Sequence, residues 1–466
     1  VTETRDVVII GAGTAGLSAL SEVRKRTDSF LIVNEGSWGT TCARVGCMPS
    51  KALIEAADAF HAAERLEEMG SRERVRPVPD GAAVMRRVRR LRDGFVKGVL
   101  RATDGLQDRA VSGHARLLAP DLVEIDGRRV SARSVIVAAG SKPVVPRPWR
   151  DIAGVLTSDG VFEMEGLPDS MAVVGLGAVG LELAQAFSRL GVEVYGFDAS
   201  GTIAGITDGD VLEAARDALD AELPLRLSTE VDLEERPDGV AVSWEGGSVV
   251  VEKALVAVGR RPSTDGLGLE SLGAELDDGG LPPFDEGTLR IPGTRVFIAG
   301  DVNRRAPILH EAADDGRIAG YYAVRDEARS FCRRAAIRVV FTDPTIASVG
   351  TPDPSKAAVS GSVDFGRQSR ARMAGRASGA MKLWASGDDA LLGAELCAPG
   401  GEHLAHLLAW AMQTGLTVHE MLELPYYHPT FEEGLRTAVR RASRGLEDRP
   451  ESELPPCREL PGEGME

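Results

Sequence analysis

Two patterns of apolar and polar positions recur along this chain. In one, a short aliphatic run stops abruptly at glycine; in the other, apolar residues return every three to four positions. Residues 6–10 form a run that ends in Gly11-Ala12-Gly13-Thr14-Ala15-Gly16. A helical stretch follows, then a second apolar run over 30–33 closed by Glu35. Residues 171–174 repeat the arrangement with Gly175-Leu176-Gly177-Ala178-Val179-Gly180, a helical stretch, and a run over 192–197 closed by Asp198. Gly11 to Glu35 spans 24 residues and Gly175 to Asp198 spans 23. Strand, glycine turn, helix, strand and terminal acid is the dinucleotide-binding fingerprint. The first glycine makes the tight turn and the second lets backbone approach a pyrophosphate. The third lets helix meet strand, and the helix N-terminus attracts the phosphate charge. A single G-x-G-x-x-G is weak evidence, because any tight turn can produce one. Two complete units with terminal acids are not explained that way.

Further apolar runs end in glycine at Gly140, Gly259 and Gly300-Asp301. Each reads as a buried parallel strand opening onto a ligand. From about residue 335 the texture changes. Strand-like runs at 337–341, 381–384 and 390–395 are followed by amphipathic helical patterns at 403–414 and 431–442, which predicts a separate α+β domain. After Gly445 the chain is rich in proline and acids and lacks a core-forming pattern, so a flexible acidic tail is expected over 446–466. Arg86, Arg87, Arg89, Arg90 and Arg92 interleave with Met85, Val88, Leu91 and Phe95 at helical spacing. This predicts a helix with a solvated basic face, the alternative being a docking surface for an acidic partner.

Composition narrows the function. The 466 residues carry 53 glycines, 43% hydrophobic residues and a net charge of −16, which exclude collagen and wholesale disorder. The acidic balance argues against nucleic acid or an anionic membrane as partner. No apolar stretch approaches the ~18 residues of a membrane span, and the first strand begins too early for a signal peptide. A soluble, cytoplasmic protein is expected. Five cysteines are too few for a disulfide framework.

Two of those cysteines stand close together in Cys42-Ala43-Arg44-Val45-Gly46-Cys47-Met48-Pro49-Ser50-Lys51. A C-x4-C pair can be half a zinc site, two unrelated thiols or a redox dithiol. Zinc needs two more ligands, and no second close Cys or His pair supplies them. In a regular helix, residues five apart are too distant for a disulfide, but Gly46 offers a bend. Pro49 suits the first turn of a helix through Leu53, Ala56, Ala57 and Phe60. Cys47 then stands at a helix N-terminus, where a thiolate is stabilised.

Taken together, the dithiol segment, both nucleotide units, Gly300-Asp301, Phe341-Thr342-Asp343-Pro344 and His428-Pro429-Thr430-Phe431-Glu432-Glu433 resemble the flavin-dependent pyridine nucleotide–disulfide oxidoreductases. The resemblance is nearest to their dihydrolipoamide dehydrogenase branch and spans about residues 5 to 442. It implies an α/β fold with two Rossmann-like domains, one for FAD and one for NAD, plus a C-terminal α+β dimerisation domain. The implied boundaries are 1–150 with 275–335 for FAD, 151–274 for NAD and 336–445 for the interface.

The resemblance also implies roles. FAD falls to Gly11, Gly13, Gly16, Glu35 at the ribose, Thr41, Cys42, Lys51, Gly113 and Ala115 near the adenine, Gly140, Asp301 and Leu309. NAD falls to Gly175, Gly177, Gly180, Asp198, Val231, Gly259 and Arg260. Cys47 is the thiol nearest the flavin and Cys42 the one that exchanges with substrate sulfur. Lys51, paired with Glu182, lies near the flavin nitrogen that exchanges hydride. His428, oriented by Glu433, is the base, and it reaches the dithiol of the other subunit, so a homodimer is implied. The implied reaction is oxidation of a carrier-bound dihydrolipoyl dithiol with reduction of NAD.

Asp198 with no following arginine favours NAD over NADP. Mercuric reductase is disfavoured because the tail has only Cys457. A related NAD(P)H-dependent disulfide or metal-ion reductase, or a transhydrogenase, remains the alternative. A non-enzymatic flavin and nucleotide sensor, or a complex subunit, is the reading from a different class. Arg44, Tyr426 and Tyr427 depart from the common dehydrogenase pattern and border the expected substrate channel.

Overall fold

The computed structural model describes residues 3–72, 77–327, 329–447 and 452–454. Cys457 and most of the expected tail lie outside the described residues. The chain divides into two compact units. The first comprises Val1–Asp151, Val155–Leu167 and Val256–Cys332; the second comprises Ile152–Gly154, Pro168–Leu255 and Arg333–Glu466.

Among the described residues, the first unit is built on a seven-stranded sheet. Its central strand, Glu3–Ile10, pairs in parallel with Phe30–Asn34 on one side and Arg128–Val137 on the other. Val296–Ile298 joins it in parallel with Arg128–Val137. Val7, Val8 and Ile9 are fully buried, as a strand covered on both faces requires. One face is covered by the helices Thr14–Val23 and Leu309–Ala323, packed over Val7, Ile9, Ile32 and Phe297. These helices touch at the backbone. A Cβ on Gly316 would lie 2.1 Å from Ala15 O, and one on Gly320 would lie 2.6 Å from Ala19 O. The other face buries Val8, Ile10, Leu117, Val123, Leu267 and Leu281.

In the second unit, Leu225–Arg226, Glu193–Phe197, Ser170–Val174 and Lys253–Val256 follow one another across a sheet that carries the second glycine turn. A three-stranded antiparallel sheet, Val231–Arg236, Gly239–Trp244 and Gly247–Val251, lies in the same unit. Residues beyond 335 form a five-stranded antiparallel sheet with the helices Gly401–Thr414, Val418–Glu423 and Glu432–Ser443. The three runs anticipated from sequence are strands there. Thr345–Gly350 and Val359–Asp364 complete the sheet without an equally clear apolar pattern.

The unit boundaries differ from those implied by resemblance, for identifiable reasons. Residues 256–274, expected with the nicotinamide domain, lie in the first unit, where Arg260–Pro262 pairs antiparallel with Ser141–Pro143. Residues 168–255 and the C-terminal sheet fall in one compact unit. Buried Glu395 accepts hydrogen bonds from Thr207 N, Thr207 Oγ1 and Asp208 N. Gln185 exchanges hydrogen bonds with the Asp343 backbone at 2.9 Å each. These buried polar groups would be left unpaired if the parts separated. Near the C-terminus, Glu453 is gripped by Arg440 and Arg436, and the Arg440 hydrogen bond brings its carboxyl down to about 2.

The basic stretch is the helix Gly81–Leu100. Arg87 donates to Ala52 O at 2.9 Å, Arg89 to Met164 O, and Arg92 bonds Glu163 and Asp93. With Arg86 3.9 Å from Asp80, four of its five arginines thus bind neighbouring groups within the unit, which leaves less charge for a docking face.

Candidate active site

The dithiol is shaped by a break between two helices. Thr41–Val45 is one short helix, N-capped by Thr40, whose Oγ1 accepts from Ala43 N at 3.2 Å. Cys47–Glu64 is the next, with Cys47 as its first residue and no side chain capping its N-terminus. Gly46 joins them and folds the chain back over Cys42. A Cβ there would lie 3.1 Å from Thr41 O and 3.2 Å from Cys42 Cα. This close approach brings residues five apart into contact, and the Cys42 thiol hydrogen-bonds Cys47. Both are free thiols, Cys42 half-buried and Cys47 exposed. The contact with Cys47, followed by burial, holds the Cys42 proton far above the ordinary thiol range, and the charge of Lys51 offsets this only in part. The pair therefore retains a proton on Cys42. Cys47 has the helix N-terminus at its back and Lys51 one turn away, on the same face.

Gly46→Val is expected to separate the thiols, because a branched side chain has to displace the Cys42 backbone. On titration with a dithiol-specific oxidant, wild type should form one intramolecular disulfide per chain and the variant should form it at least tenfold more slowly. Equal rates would show that the close approach at Gly46 is dispensable.

Both glycine turns have the geometry their sequence anticipates. Gly11 has φ +106°, and a Cβ on it would lie 2.3 Å from Ala138 O; Gly175 has φ +98°. A Cβ on Gly16 would meet Gly11 O at 1.9 Å. By contrast, Gly13 and Gly177 have nothing within 4 Å of such a Cβ, and each precedes a helix N-terminus without a side-chain cap. Two open cradles with uncapped amides fit a dinucleotide pyrophosphate in each unit.

The acids that close the two units are not equivalent. Gly11 N bonds Val33 O at 2.7 Å and Gly175 N bonds Phe197 O at 2.8 Å, which sets a common register. In that register Asp198 Oδ2 accepts from Leu176 N at 2.6 Å, and its counterpart is Asn34, whose Oδ1 accepts from Ala12 N at 3.0 Å. Glu35 stands one residue further on. It is largely exposed and lies 3.2 Å from Nδ1 of His114, between Gly113 and Ala115. The count of 24 against 23 residues already contained this offset. Asp198 also accepts from Ser200 N and Oγ at 2.7 and 2.6 Å.

The remaining expected residues are distributed as follows. Gly140, at φ +73°, follows the strand Arg128–Val137. Asp301 opens a short turn after Gly300, and its Oδ2 accepts from Ser141 Oγ at 3.0 Å. Leu309 is exposed at the start of its helix, and Val231 begins its strand. Gly259 and Arg260 lie in the first unit beside Ser141. Glu182, buried in the second unit, accepts from Phe341 N at 3.0 Å, whereas Lys51 belongs to the first. Ser141 and Asn34 escaped the sequence reading, whereas His114 lies within the segment from Gly113 to Ala115 expected near the adenine. Asn34 was within reach of a register count; Ser141 carried no local signal.

His428 and Glu433 come together in the second unit. His428 Nδ1 lies 3.0 and 3.1 Å from the two Glu433 oxygens, and Thr430 N donates to Oε2 at 3.2 Å. Glu433 is the second residue of the helix Glu432–Ser443, where a carboxylate is favoured. The His428 hydrogen bond holds its carboxyl below the ordinary range. With Nδ1 engaged, Nε2 is the nitrogen left to exchange a proton, and the imidazole is 73% exposed. Tyr427 beside it is 83% exposed. Tyr426 instead turns inward: its hydroxyl donates to Met421 O at 3.2 Å, and burial pushes it up to about 12. Among the described residues, no group of three His, Cys, Asp or Glu side chains could hold a metal ion, and no helix is long and apolar enough to cross a membrane.

Comparison with known proteins identifies the family. The family described as pyridine nucleotide-disulphide oxidoreductase matches residues 5–316, and its dimerisation domain matches residues 336–439. A dihydrolipoyl dehydrogenase from Thermus scotoductus is 33% identical, covering 94% of this chain and 97% of that relative. Dihydrolipoyl dehydrogenase 2 from Haloarcula marismortui is 30% identical, covering 96% and 98%. Among solved structures, LpdA from Mycobacterium tuberculosis superposes with a TM-score of 0.79 at 25% identity, covering 95% of this chain and 99% of that one. The HOCl-induced flavoprotein disulfide reductase RclA from Escherichia coli superposes with a TM-score of 0.80 at 21% identity, covering 93% and 99%, and so shares the fold.

Proposed function

The chain belongs to the pyridine nucleotide-disulphide oxidoreductases, which use FAD and a pyridine nucleotide, and from that premise we propose that it is a dihydrolipoyl dehydrogenase. The match to the dimerisation domain indicates a homodimer. The observation that carries the reading is the contact between Cys42 and Cys47 at an uncapped helix N-terminus, with Lys51 one turn on. The full-length likeness to proteins named dihydrolipoyl dehydrogenase supports the choice of substrate.

In this proposal the open cradle at Gly11, Gly13 and Gly16 holds FAD, with Asn34, Glu35 and the Gly113–Ala115 segment toward its adenosine end and Thr41, Gly140, Asp301 and Leu309 along the rest. Gly175, Gly177, Gly180, Asp198 and Val231 hold NAD. Asp198 favours NAD because a 2′-phosphate would bring negative charge against its carboxylate. FAD, when bound, supplies a two-electron carrier between the dithiol and the nicotinamide. The protein's residues handle sulfur and protons. A substrate thiolate attacks Cys42 Sγ in the oxidised pair, the Cys42–Cys47 bond breaks, and Cys47 leaves as thiolate. The second substrate thiol gives its proton to Nε2 of His428 from the partner subunit and then displaces Cys42, closing the substrate disulfide. Lys51 stabilises the Cys47 thiolate and is assigned to the flavin nitrogen that exchanges hydride. A carrier-borne dihydrolipoyl group and a cytoplasmic, reducing setting complete the reading; the unpaired Cys332 and Cys397 suit such a setting.

Steady-state kinetics with dihydrolipoamide, glutathione disulfide and Hg(II), each with NAD(H) and NADP(H), test the proposal. Dihydrolipoamide with NAD should give the highest kcat/KM by at least tenfold. A preference for glutathione disulfide or Hg(II) would replace it with a different reductase of the family.

A further inference from the structure

Ser141, Arg260 and Asp301 come from three stretches of the first unit, and their side chains form one line of hydrogen bonds. Arg260 Nε donates to Ser141 Oγ at 2.9 Å and Nη2 donates to Ser141 O at 2.7 Å. Ser141 Oγ donates to Asp301 Oδ2 at 3.0 Å. A guanidinium offers donors only, so the hydroxyl accepts from Arg260 and its single proton goes to Asp301. The polarity of the line is thereby set.

Both ends are braced. Arg260–Pro262 pairs antiparallel with Ser141–Pro143, and two flanking backbone bonds, Val144 N to Gly259 O and Ser263 N to Gly140 O, are each 3.0 Å. Arg261 and Lys142, one on each strand, both bind Asp265. On the other side, buried Asp315 fixes the turn that carries Asp301: its Oδ2 accepts from Gly300 N at 3.1 Å and from Asn303 Nδ2 at 2.6 Å. Gly300 has φ +80°, and a Cβ on it would lie 2.7 Å from Ala15 Cβ, so the turn sits against the first nucleotide helix. Asp301 Oδ1 has no hydrogen-bond partner among the described residues. A carboxylate oxygen accepts only, so it suits a hydroxyl donor and repels a phosphate.

We propose that Arg260 is a positioning residue for the flavin side of the enzyme: acting through Ser141, it holds the Asp301 carboxylate with one oxygen open to a hydroxyl such as those of the FAD ribityl chain. It is not, on this reading, a ligand of the nicotinamide nucleotide. The inference rests on the proposal that Asp301 faces FAD.

The test compares holoenzyme variants Ser141→Ala, Arg260→Gln, the double variant and Asp301→Ala. FAD release is read from flavin fluorescence on dilution, and NAD binding from equilibrium dialysis. Ser141→Ala and Arg260→Gln should each weaken FAD binding about tenfold, the scale of one hydrogen bond to a charged group. The double variant should be no weaker than either single, because both remove the same line. NAD binding should stay within about twofold of wild type in all three. Weaker NAD binding with unchanged FAD binding in Arg260→Gln would overturn the assignment, and so would additive losses in the double variant. If Asp301→Ala weakens FAD binding while Ser141→Ala and Arg260→Gln do not, the positioning role alone falls. If Asp301→Ala leaves FAD binding unchanged, the placement of Asp301 at the flavin falls first.

Discussion

Cys42→Ser is expected to reduce dihydrolipoamide–NAD turnover on the order of 10⁴-fold, because the substrate then has no disulfide sulfur to attack. Transfer from NADH to an artificial dye should persist, since it needs the two nucleotide sites and not the exchange thiol. The spectrum separates the two cysteines. The Cys42 proton is held in place by Cys47 and by burial, while Cys47 sits at the helix N-terminus one turn from Lys51. Removing Cys42 leaves that thiolate, so the long-wavelength absorption of a thiolate against an oxidised flavin ring should be present in Cys42→Ser. Cys47→Ser should lose both the band and the turnover. Substantial dihydrolipoamide–NAD activity in Cys42→Ser would refute the mechanism outright, and a band that survives in Cys47→Ser would reverse the roles of the two thiols.

His428→Ala should lower kcat/KM for dihydrolipoamide by about 10²–10⁴, the usual contribution of a positioned base. Glu433→Gln should lower it less, about tenfold, because the amide keeps one oxygen for Nδ1–H but loses the charge that steadies the imidazolium. The sign of the pH effect follows from the carboxyl. His428 holds Glu433 below its ordinary range, so its contribution is complete above the carboxylate pKa near 4.3 and is lost only as pH falls through the lower folded value. The Glu433→Gln defect should therefore be present at pH 6 as well as at pH 8. A defect that vanishes at pH 6 would mean that Glu433 is already protonated in wild type there. Full activity in His428→Ala would remove this histidine from the reaction.

Much of this arrangement is legible in the chain itself. The two glycine turns could be read because the physical demand is local: Gly11 and Gly175 both adopt positive φ. The dithiol was legible for a similar reason, since Gly46, Cys47 and Pro49 describe a helix start within a few residues. His428 and Glu433 lie five apart on one loop and helix turn, so their meeting is a short-range event.

Other features needed the fold. Matching Glu35 with Asp198 was off by one residue, and only the hydrogen-bond register across two strands identifies Asn34 as the counterpart. The line Arg260–Ser141–Asp301 joins residues 119 and 160 positions from Ser141, and none of the three segments signals the others. Residues 256–274 fall in the first compact unit for the same reason, since strand pairing at 260–262 draws that segment to Ser141–Pro143.

Sequence by itself thus determined many of the elements, the two glycine turns, the close cysteine pair and the pairing of His428 with Glu433, because each depends on φ, spacing and side-chain chemistry within a short stretch. Tertiary structure decided which carboxylates and hydroxyls share hydrogen bonds and where the compact units divide. Those outcomes depend on pairing buried polar groups across long separations, and a linear pattern carries no record of which distant partner satisfies them.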